Sequence, residues 1–352
     1  MKFNWGLNME FDTTATLPSF LRINVITRYV ILLVILAILC IVGITGIYFA
    51  RIFHKYYLMK KLDLIKRYGE GSWAVITGAS SGQGRVMAHK LAEEGFNLLL
   101  IGSPRIENTK KEIEEGNQKG GDVQCLVKDF NEAAKPGFFD EIETAFKKID
   151  NISILVNNIG HRTAWAPYHE SPEHIINDTI ACGTLVQAHL CRLAIPYFLK
   201  RKPQRSCLIN ITALCQYNTN LLGAIFGTSD ICVPYLSVYE ASNAFGYYHA
   251  NSLYKEYKDE FDMLNITPGA VVTENTGFLK DTIFSVGVNE FVDQILRMVG
   301  NVNGVTCAHW GHEISPALMN IFPFIKDYVL NKVGKRISCS FMEKYKSQEK
   351  TK

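Results

Sequence analysis

The run Trp73–Thr77 (WAVIT) leads directly into Gly78-Ala79-Ser80-Ser81-Gly82-Gln83-Gly84 and then into a helical pattern over Arg85–Glu94 that stops at Gly95. Three glycines and two serines in seven residues are more than a plain turn requires. Between a strand and a helix, such a loop lets backbone N–H groups close on a pyrophosphate, which the helix N-terminus also attracts. The spacing is TGxxxGxG rather than GxGxxG, and it stands in the strand–turn–helix context that phosphate binding needs. The alternation then continues. Asn97–Ile101 and Val123–Val127 read as the second and third strands, Glu107–Asn117 as a charged helix between them, and Ile152–Val156 as the fourth strand. Apolar strands in a βαβαβ order imply a parallel sheet covered on both faces, a doubly wound α/β fold.

A second constraint lies upstream. Tyr29–Ala50 is an apolar stretch without one charge, bracketed by Arg28 and Arg51, with Tyr29, Tyr48 and Phe49 at its ends. As a helix it spans roughly 33 Å, enough for a bilayer core of about 30 Å. A soluble helix is rarely apolar on every side, and a signal peptide has a shorter apolar core with a small-residue cleavage site. The reading is a transmembrane helix. Net charge over the 352 residues is only +3, which excludes nothing but a strongly basic nucleic-acid binder. Residues 1–70 nevertheless carry +5, mostly downstream of the apolar run (Arg51, Lys55, Lys60, Lys61, Lys66, Arg67). Positive-inside then leaves the C-terminal part in the cytosol. Nine scattered cysteines, with no CxxC pair and no Cys/His cluster at metal spacing, fit reduced thiols and no structural metal. Four N-x-Ser/Thr triplets occur, at Asn151, Asn177, Asn210 and Asn265, and two fall in strands expected to be buried.

The Thr77–Gly84 loop, Asp129-Phe130 after the third strand, Asn157-Asn158-Ile159-Gly160 after the fourth, and Pro268–Thr273 after a late strand together resemble the short-chain dehydrogenases/reductases. Within that family the chain is similar to the membrane-anchored branch of 17β-hydroxysteroid dehydrogenases and very-long-chain 3-oxoacyl-CoA reductases, through Leu64–Gly69 leading into Trp73 and through Phe291 to about Tyr345. The resemblance implies a Rossmann-like sheet. It also implies that Thr77, Gly78, Ser80, Ser81, Gly82 and Gly84 form the cofactor loop, that Asp129 contacts adenine, that Asn157 and Gly160 support ribose, and that Thr273 holds the nicotinamide carboxamide. For NAD an acidic residue meets the ribose 2′-hydroxyl at the end of the second strand. Here Gly102-Ser103 carries no acid and Arg85 and Arg105 are near, so NADP(H) is favoured over NAD(H), with Ser103 at the discriminating position.

The catalytic half departs from the pattern. The resemblance implies a Tyr acid/base, a Lys one helical turn later, a carbonyl-polarising Ser and a helix Asn that anchors a water relay. Val233–Asn243 aligns without a gap, which makes Tyr239 the acid and puts Asn243 where the lysine belongs. Asn210-Ile211-Thr212-Ala213 puts Ala213 at the serine, with Thr212, Thr228 or Ser229 as substitutes. The helix over Ile175–Leu193 offers Gly183 or Ile180 at the asparagine position, depending on the anchor chosen, with Asn177 one turn away. A lysine ammonium ~4 Å from a phenolate contributes ~4 kcal/mol at an effective dielectric near 20, about a thousandfold in rate. Reduction needs the protonated phenol, the ordinary state of a tyrosine at neutral pH, so loss of the lysine harms oxidation more. His161 and Arg162 could supply a cation, though surface loops often carry such residues.

The expected organisation is an N-terminal segment (1–28), a transmembrane helix (29–50), a basic linker (51–70), a reductase-like NADP(H)-binding domain (71–335) and a polar tail (336–352), disordered over 344–352. Two functions compete. One is a single-pass enzyme of the endoplasmic reticulum membrane that reduces a lipophilic ketone (a 3-oxoacyl-CoA or a ketosteroid) with NADPH. The other is a nucleotide-binding pseudoenzyme that acts by interaction or sensing. No nucleic acid partner is implied, and a homodimer is compatible with either reading.

Overall fold

The computed structural model describes residues 25–116, 119, 121–159, 165–214, 232–274, 282, 284–321 and 323–349. The chain divides into two compact units, residues 1–52 and 53–352. The first unit is described by helix α1 (Val25–Phe53), which begins in it and whose apolar side chains are exposed from Tyr29 to Phe49. Among the described residues one apolar helix, Thr27–Leu58, is long and apolar enough to cross a membrane.

The second unit is built on seven parallel strands. They are β1 (Trp73–Thr77), β2 (Asn97–Gly102), β3 (Val123–Val127), β4 (Ile152–Asn157), β5 (Cys207–Ile211), β6 (Asp262–Ile266) and β9 (Gly304–Thr306), in the order β3-β2-β1-β4-β5-β6-β9. The sequence reversal beside β1, where β4 pairs with it, is the switch point at which open α/β sheets bind ligands beyond their strand ends. A small side sheet pairs β7 (Ala270–Val272) with β8 (Ser285–Gly287). Strands β1 and β6 are buried along their whole length, as expected where both faces are covered. Helices α3 (Gly82–Glu94), α4 (Ile106–Gly116) and α9 (Val288–Met298) pack together on one side. On the other side α5 (Asp140–Ile149), α7 (Val186–Lys200) and the C-terminal part of α8 (Ser237–Tyr257) close over Phe146, Leu190, Phe198 and Phe261. Between α6 (Glu173–Ile180) and α7 the helix takes a π-turn over Ala181–Leu185, which inserts one residue into the helical count.

Two expectations of the sequence change here. The first is the basic linker. His54–Leu58 continues as a π-turn, and α2 (Leu64–Tyr68) is capped by Asp63, whose side chain accepts from the Lys66 amide at 2.9 Å. Tyr56, Leu64 and Tyr68 are buried at 2%, 0% and 0% exposure. Lys55 pairs with Glu313 and donates to Thr306 at 2.9 Å, and Lys61 pairs with Glu94. Arg67 forms a two-pronged ion pair with the buried carboxylate of Asp262 (2.6 and 3.0 Å), which also receives the Tyr68 hydroxyl and Arg205. Residues 54–68 are therefore part of the folded unit, because their charges have buried or part-buried partners elsewhere in the chain. The second is the polar tail. Helix α10 (Trp310–Ile321) is followed by α11 (Pro323–Glu349), so residues 336–349 are helical. Pro323 opens α11, the one helical position where its missing N–H costs nothing.

Candidate active site

The glycine loop is held by its neighbours before any ligand is considered. The Thr77 hydroxyl donates to the Val156 carbonyl (3.1 Å) and accepts from the Asn158 amide (3.0 Å), tying the end of β1 to that of β4. Thr109 on α4 donates to the Ala79 carbonyl at 3.0 Å. Gly78 has φ +65°, and a Cβ there would lie 2.5 Å from the Asn158 carbonyl oxygen. At Gly84 a Cβ would lie 2.3 Å from the Gly78 carbonyl oxygen. Both positions admit only glycine, which brings the first turn of α3 directly under the loop. Ser81, at the N-cap, makes no capping bond with its side chain. Ser103 Oγ, just beyond β2, is buried without a hydrogen-bond partner. A loop that excludes Cβ atoms, an uncapped N-terminus on a 13-residue helix and a bare hydroxyl at the end of β2 fit a dinucleotide phosphate and its ribose.

Several of the residues expected at the cofactor have partners within the chain. Thr77 is fully buried and shapes the loop from behind. Asp129 caps a short turn over Phe130–Glu132, its Oδ1 accepting from the Asn131 amide at 3.1 Å. Asn157 is buried, and its amide donates to Asn210 Oδ1 (2.8 Å) and to Cys191 Sγ (3.3 Å). Arg85, expected near a 2′-phosphate, is engaged by Glu112 through both prongs (3.0 and 2.8 Å) and reaches Glu274 at 3.4 Å. Neutralised in this way, it gives no support to NADP(H), and that argument now rests on Ser103 and exposed Arg105. Thr273 stands over the loop, its Cγ2 3.6 Å from the Cβ position of Gly82, and both line a cleft of about 260 Å³ with Arg85, His89 and Glu274. Gly160, His161 and Arg162 lie outside the described residues, as do Thr228, Ser229 and most of the apolar insert 214–233.

At the catalytic end Tyr239 sits half-buried in the first turn of α8. Asn243 is buried at 6% exposure and donates Nδ2 to the Tyr239 carbonyl at 2.9 Å, so its amide folds back onto its own helix. The Thr212 hydroxyl donates to the Ile266 carbonyl (3.2 Å), and Ala213 is buried. The π-turn resolves the helix count: Gly183 lines a small cavity with Asn157, Thr212 and Asn243, whereas Ile180 and Asn177 are exposed. Neither Ile180 nor Asn177 can replace the family asparagine.

Sequence reasoning missed Asn210, Asn265 and Gln187. The signal was present. Strands β4, β5 and β6 each carry an asparagine directly after two aliphatic or Met residues (Leu155-Val156-Asn157, Leu208-Ile209-Asn210, Met263-Leu264-Asn265), and the sheet register sets the three side by side. Their burial agrees with the reading of Asn210 and Asn265 as interior positions.

Residues 72–283 match the sequence profile of the short chain dehydrogenases, and the chain belongs to that family. It is 29% identical over 294 residues to a very-long-chain 3-oxoacyl-CoA reductase of Caenorhabditis briggsae, covering 81% of this chain and 86% of the relative. It is 29% identical over 258 residues to human 17-beta-hydroxysteroid dehydrogenase type 3, covering 72% and 76%. Among solved structures, a short-chain dehydrogenase from Sphingobium yanoikuyae in complex with NADPH superposes with a TM-score of 0.54 at 22% identity, over 67% of this chain and 87% of that one. A 7beta-hydroxysteroid dehydrogenase superposes with a TM-score of 0.59 at 17% identity, over 74% and 95%. These two share the fold.

Proposed function

We propose that this chain is a membrane-anchored oxidoreductase that reduces a lipophilic ketone, a 3-oxoacyl-CoA or a ketosteroid, with NADPH. The observation that carries the reading is the loop of Gly78, Gly82 and Gly84 at the α3 N-terminus, closed to a Cβ at Gly78 and Gly84 and flanked by Thr273 at Gly82. Gly78, Ser80, Ser81, Gly82 and Gly84 would hold the pyrophosphate, Ser103 and Arg105 the phosphorylated ribose, Asp129 the adenine, and Gly160 with Thr273 the nicotinamide end. When bound, the cofactor supplies the hydride. Tyr239 supplies the proton to the carbonyl oxygen, and Thr212 stands beside Asn243 in the floor below. The apolar span Thr27–Leu58 supports anchoring, and the kinship with steroid and acyl-CoA enzymes supports an endoplasmic reticulum membrane with the large domain in the cytosol. In this reading the folded, NADP(H)-binding domain begins at Phe53 rather than at residue 71.

A specific observation favours a second reading, a nucleotide-binding pseudoenzyme. Asn243 is bonded to the Tyr239 carbonyl, Ala213 stands at the polarising position and Gly183 at the helix asparagine, so three of the four family catalytic groups are absent. The deciding experiment is NADPH binding by fluorescence followed by turnover on a panel of 3-oxoacyl-CoAs and ketosteroids, with Tyr239→Phe and Asn243→Lys alongside. Wild-type turnover abolished by Tyr239→Phe supports the reductase. Binding without turnover, with activity gained only in Asn243→Lys, supports the pseudoenzyme.

A further inference from the structure

Strand β7 leads straight into Thr273, yet it lies outside the seven-stranded sheet. It is three residues long, and its sheet partner is β8. Two short strands paired alone are marginal in water, so side chains packed on β7 weigh heavily in where it lies. His312, in the first turn of α10, is such a side chain. It is 1% exposed, and its Nε2 stands 3.2 Å from the Ala270 carbonyl oxygen. A carbonyl only accepts, so Nε2 carries the proton. Burial, with His309 adding to it, keeps the imidazole neutral at neutral pH, and this N–H is then its one donor. The ring also fills the place of a side chain at Gly269, where a Cβ would lie 2.7 Å from His312 Cδ2 and 3.1 Å from Nε2. Its own position is fixed from behind. The ring centroids of His309 and Phe291 are 4.8 and 6.2 Å away. The next residue, Glu313, pairs with Lys55 and accepts the Tyr56 hydroxyl at 2.5 Å. The turn from β9 into α10 passes through Ala308 at φ +52°, a left-handed conformation that a non-glycine residue keeps only under constraint.

We propose that His312 is a positioning residue for the nicotinamide end of the site: its Nε2–H holds the Ala270 carbonyl and its ring lies on Gly269, so that β7 sets Thr273 against Gly82. Thr273 follows β7 directly, and its Cγ2 is 3.6 Å from the Cβ position of Gly82. Three extended residues, roughly 10 Å, separate it from Ala270, so a displacement at Ala270 is carried along the strand. The glycine loop itself is braced elsewhere, by Thr77, Asn158 and Thr109. Losing His312 should therefore disturb one end of the cofactor and spare the other. That Thr273 holds the nicotinamide rests on the cofactor reading above; the hold of His312 on β7 does not.

The test titrates the detergent-solubilised full-length chain with NADPH and with 2′-phospho-ADP-ribose, the same cofactor without its nicotinamide. In His312→Leu, NADPH should bind about tenfold more weakly, the contribution of about one hydrogen bond. The affinity for 2′-phospho-ADP-ribose should stay at the wild-type value. His312→Gln, whose amide can donate to the same carbonyl, should recover NADPH affinity. Equal losses for both ligands, or no loss for either, overturn the proposal. If His312→Leu does not fold, His312→Asn decides by the same titrations, because its shorter amide withdraws the donor and keeps the site polar. Hydrogen exchange of the unliganded chain reads the hold on β7 without a cofactor. Val271–Thr273 should exchange about tenfold faster in the variant, with β1 unchanged. Exchange at the wild-type rate overturns the proposal. A wild type that binds neither ligand, with exchange still quickened in the variant, refutes the cofactor reading alone and leaves the hold of His312 on β7 standing.

Discussion

Removing Arg67 should destabilise the protein from a place far from its chemistry. Asp262 opens β6 with a side chain that is 1% exposed, and its carboxylate is held by Arg67 (2.6 and 3.0 Å), the Tyr68 hydroxyl (2.8 Å) and Arg205 (2.8 Å). Burial by itself would raise the pKa of this carboxyl. The hydrogen bonds from Arg67, Arg205 and Tyr68 outweigh it, and the pKa lies below its ordinary value. Taking one partner from a buried pair costs about 3–5 kcal/mol. Arg205 remains in Arg67→Ala, so the lower end, about 3 kcal/mol, applies. At about 2 °C per kcal/mol for a domain of this size, Tm should fall by about 6 °C. The pH dependence follows from the direction of the shift. A carboxyl with a depressed folded pKa contributes fully above its unfolded pKa of about 3.9 and loses that contribution as pH falls through the folded value. The difference between wild type and Arg67→Ala should thus stay constant from pH 8 to 5 and close only in strong acid. The assay is thermal unfolding of the detergent-solubilised full chain by circular dichroism. A companion pair of truncations begins at Phe53 and at Ser72. The second loses Tyr56, Leu64 and Tyr68, at about 1.5–3 kcal/mol for each buried apolar side chain, enough to unfold a typical domain. A Tm within 1 °C of wild type in Arg67→Ala, or a chain from Ser72 as stable as one from Phe53, would refute the account of residues 54–68 as part of the fold.

Three further outcomes are expected. Gly84→Ala places a methyl 2.3 Å from a backbone oxygen, so the loop must open; NADPH should lose more than tenfold in affinity, read by fluorescence titration and by loss of its stabilising shift in Tm. His312 is buried against the Ala270 carbonyl (3.2 Å), and burial, with His309 adding to it, pushes its pKa down to about 4. An imidazole kept neutral in the fold takes up its proton on unfolding. Stability should therefore fall by about 1.4 kcal/mol per pH unit from about pH 6.5 to 4, read by urea midpoints and abolished in a folded His312→Gln variant. Asn243→Lys should raise turnover by up to about a thousandfold over wild type if its ammonium reaches the Tyr239 phenol, read as kcat with KM unchanged.

What could be read in advance was local. Strands β1 and β3 are where the apolar runs stand, and the glycine loop sits between β1 and α3, because short apolar segments and glycines in turns express their preferences over a few residues. What could not be read depended on distant partners. The cations of residues 51–70 looked like the flank of a membrane helix, yet Arg67 finds its partner 195 positions away, and no charge count shows which cations are spoken for. That Asn157 donates to Asn210 could not be read either, because only the sheet register sets the two side by side. The choice between Gly183 and Ile180 hung on one residue that the π-turn inserts, and helical periodicity alone carries no sign of it.

The departures from the family pattern share a direction. Lysine, serine and helix asparagine are replaced by Asn243, Ala213 and Gly183, each smaller and none charged. Smaller groups leave space, and a small cavity lies beside Gly183, Thr212 and Asn243. Such a site loses the cation that stabilises a phenolate, the form Tyr239 would need in order to take a proton from an alcohol. It keeps a phenol with a proton to give, which is what reduction of a ketone requires. A neutral floor also carries no desolvation cost of a buried ammonium without a counter-charge. The same substitutions that degrade an oxidising dehydrogenase are therefore compatible with a slow reductase, in which Asn243 bonds back onto its own helix.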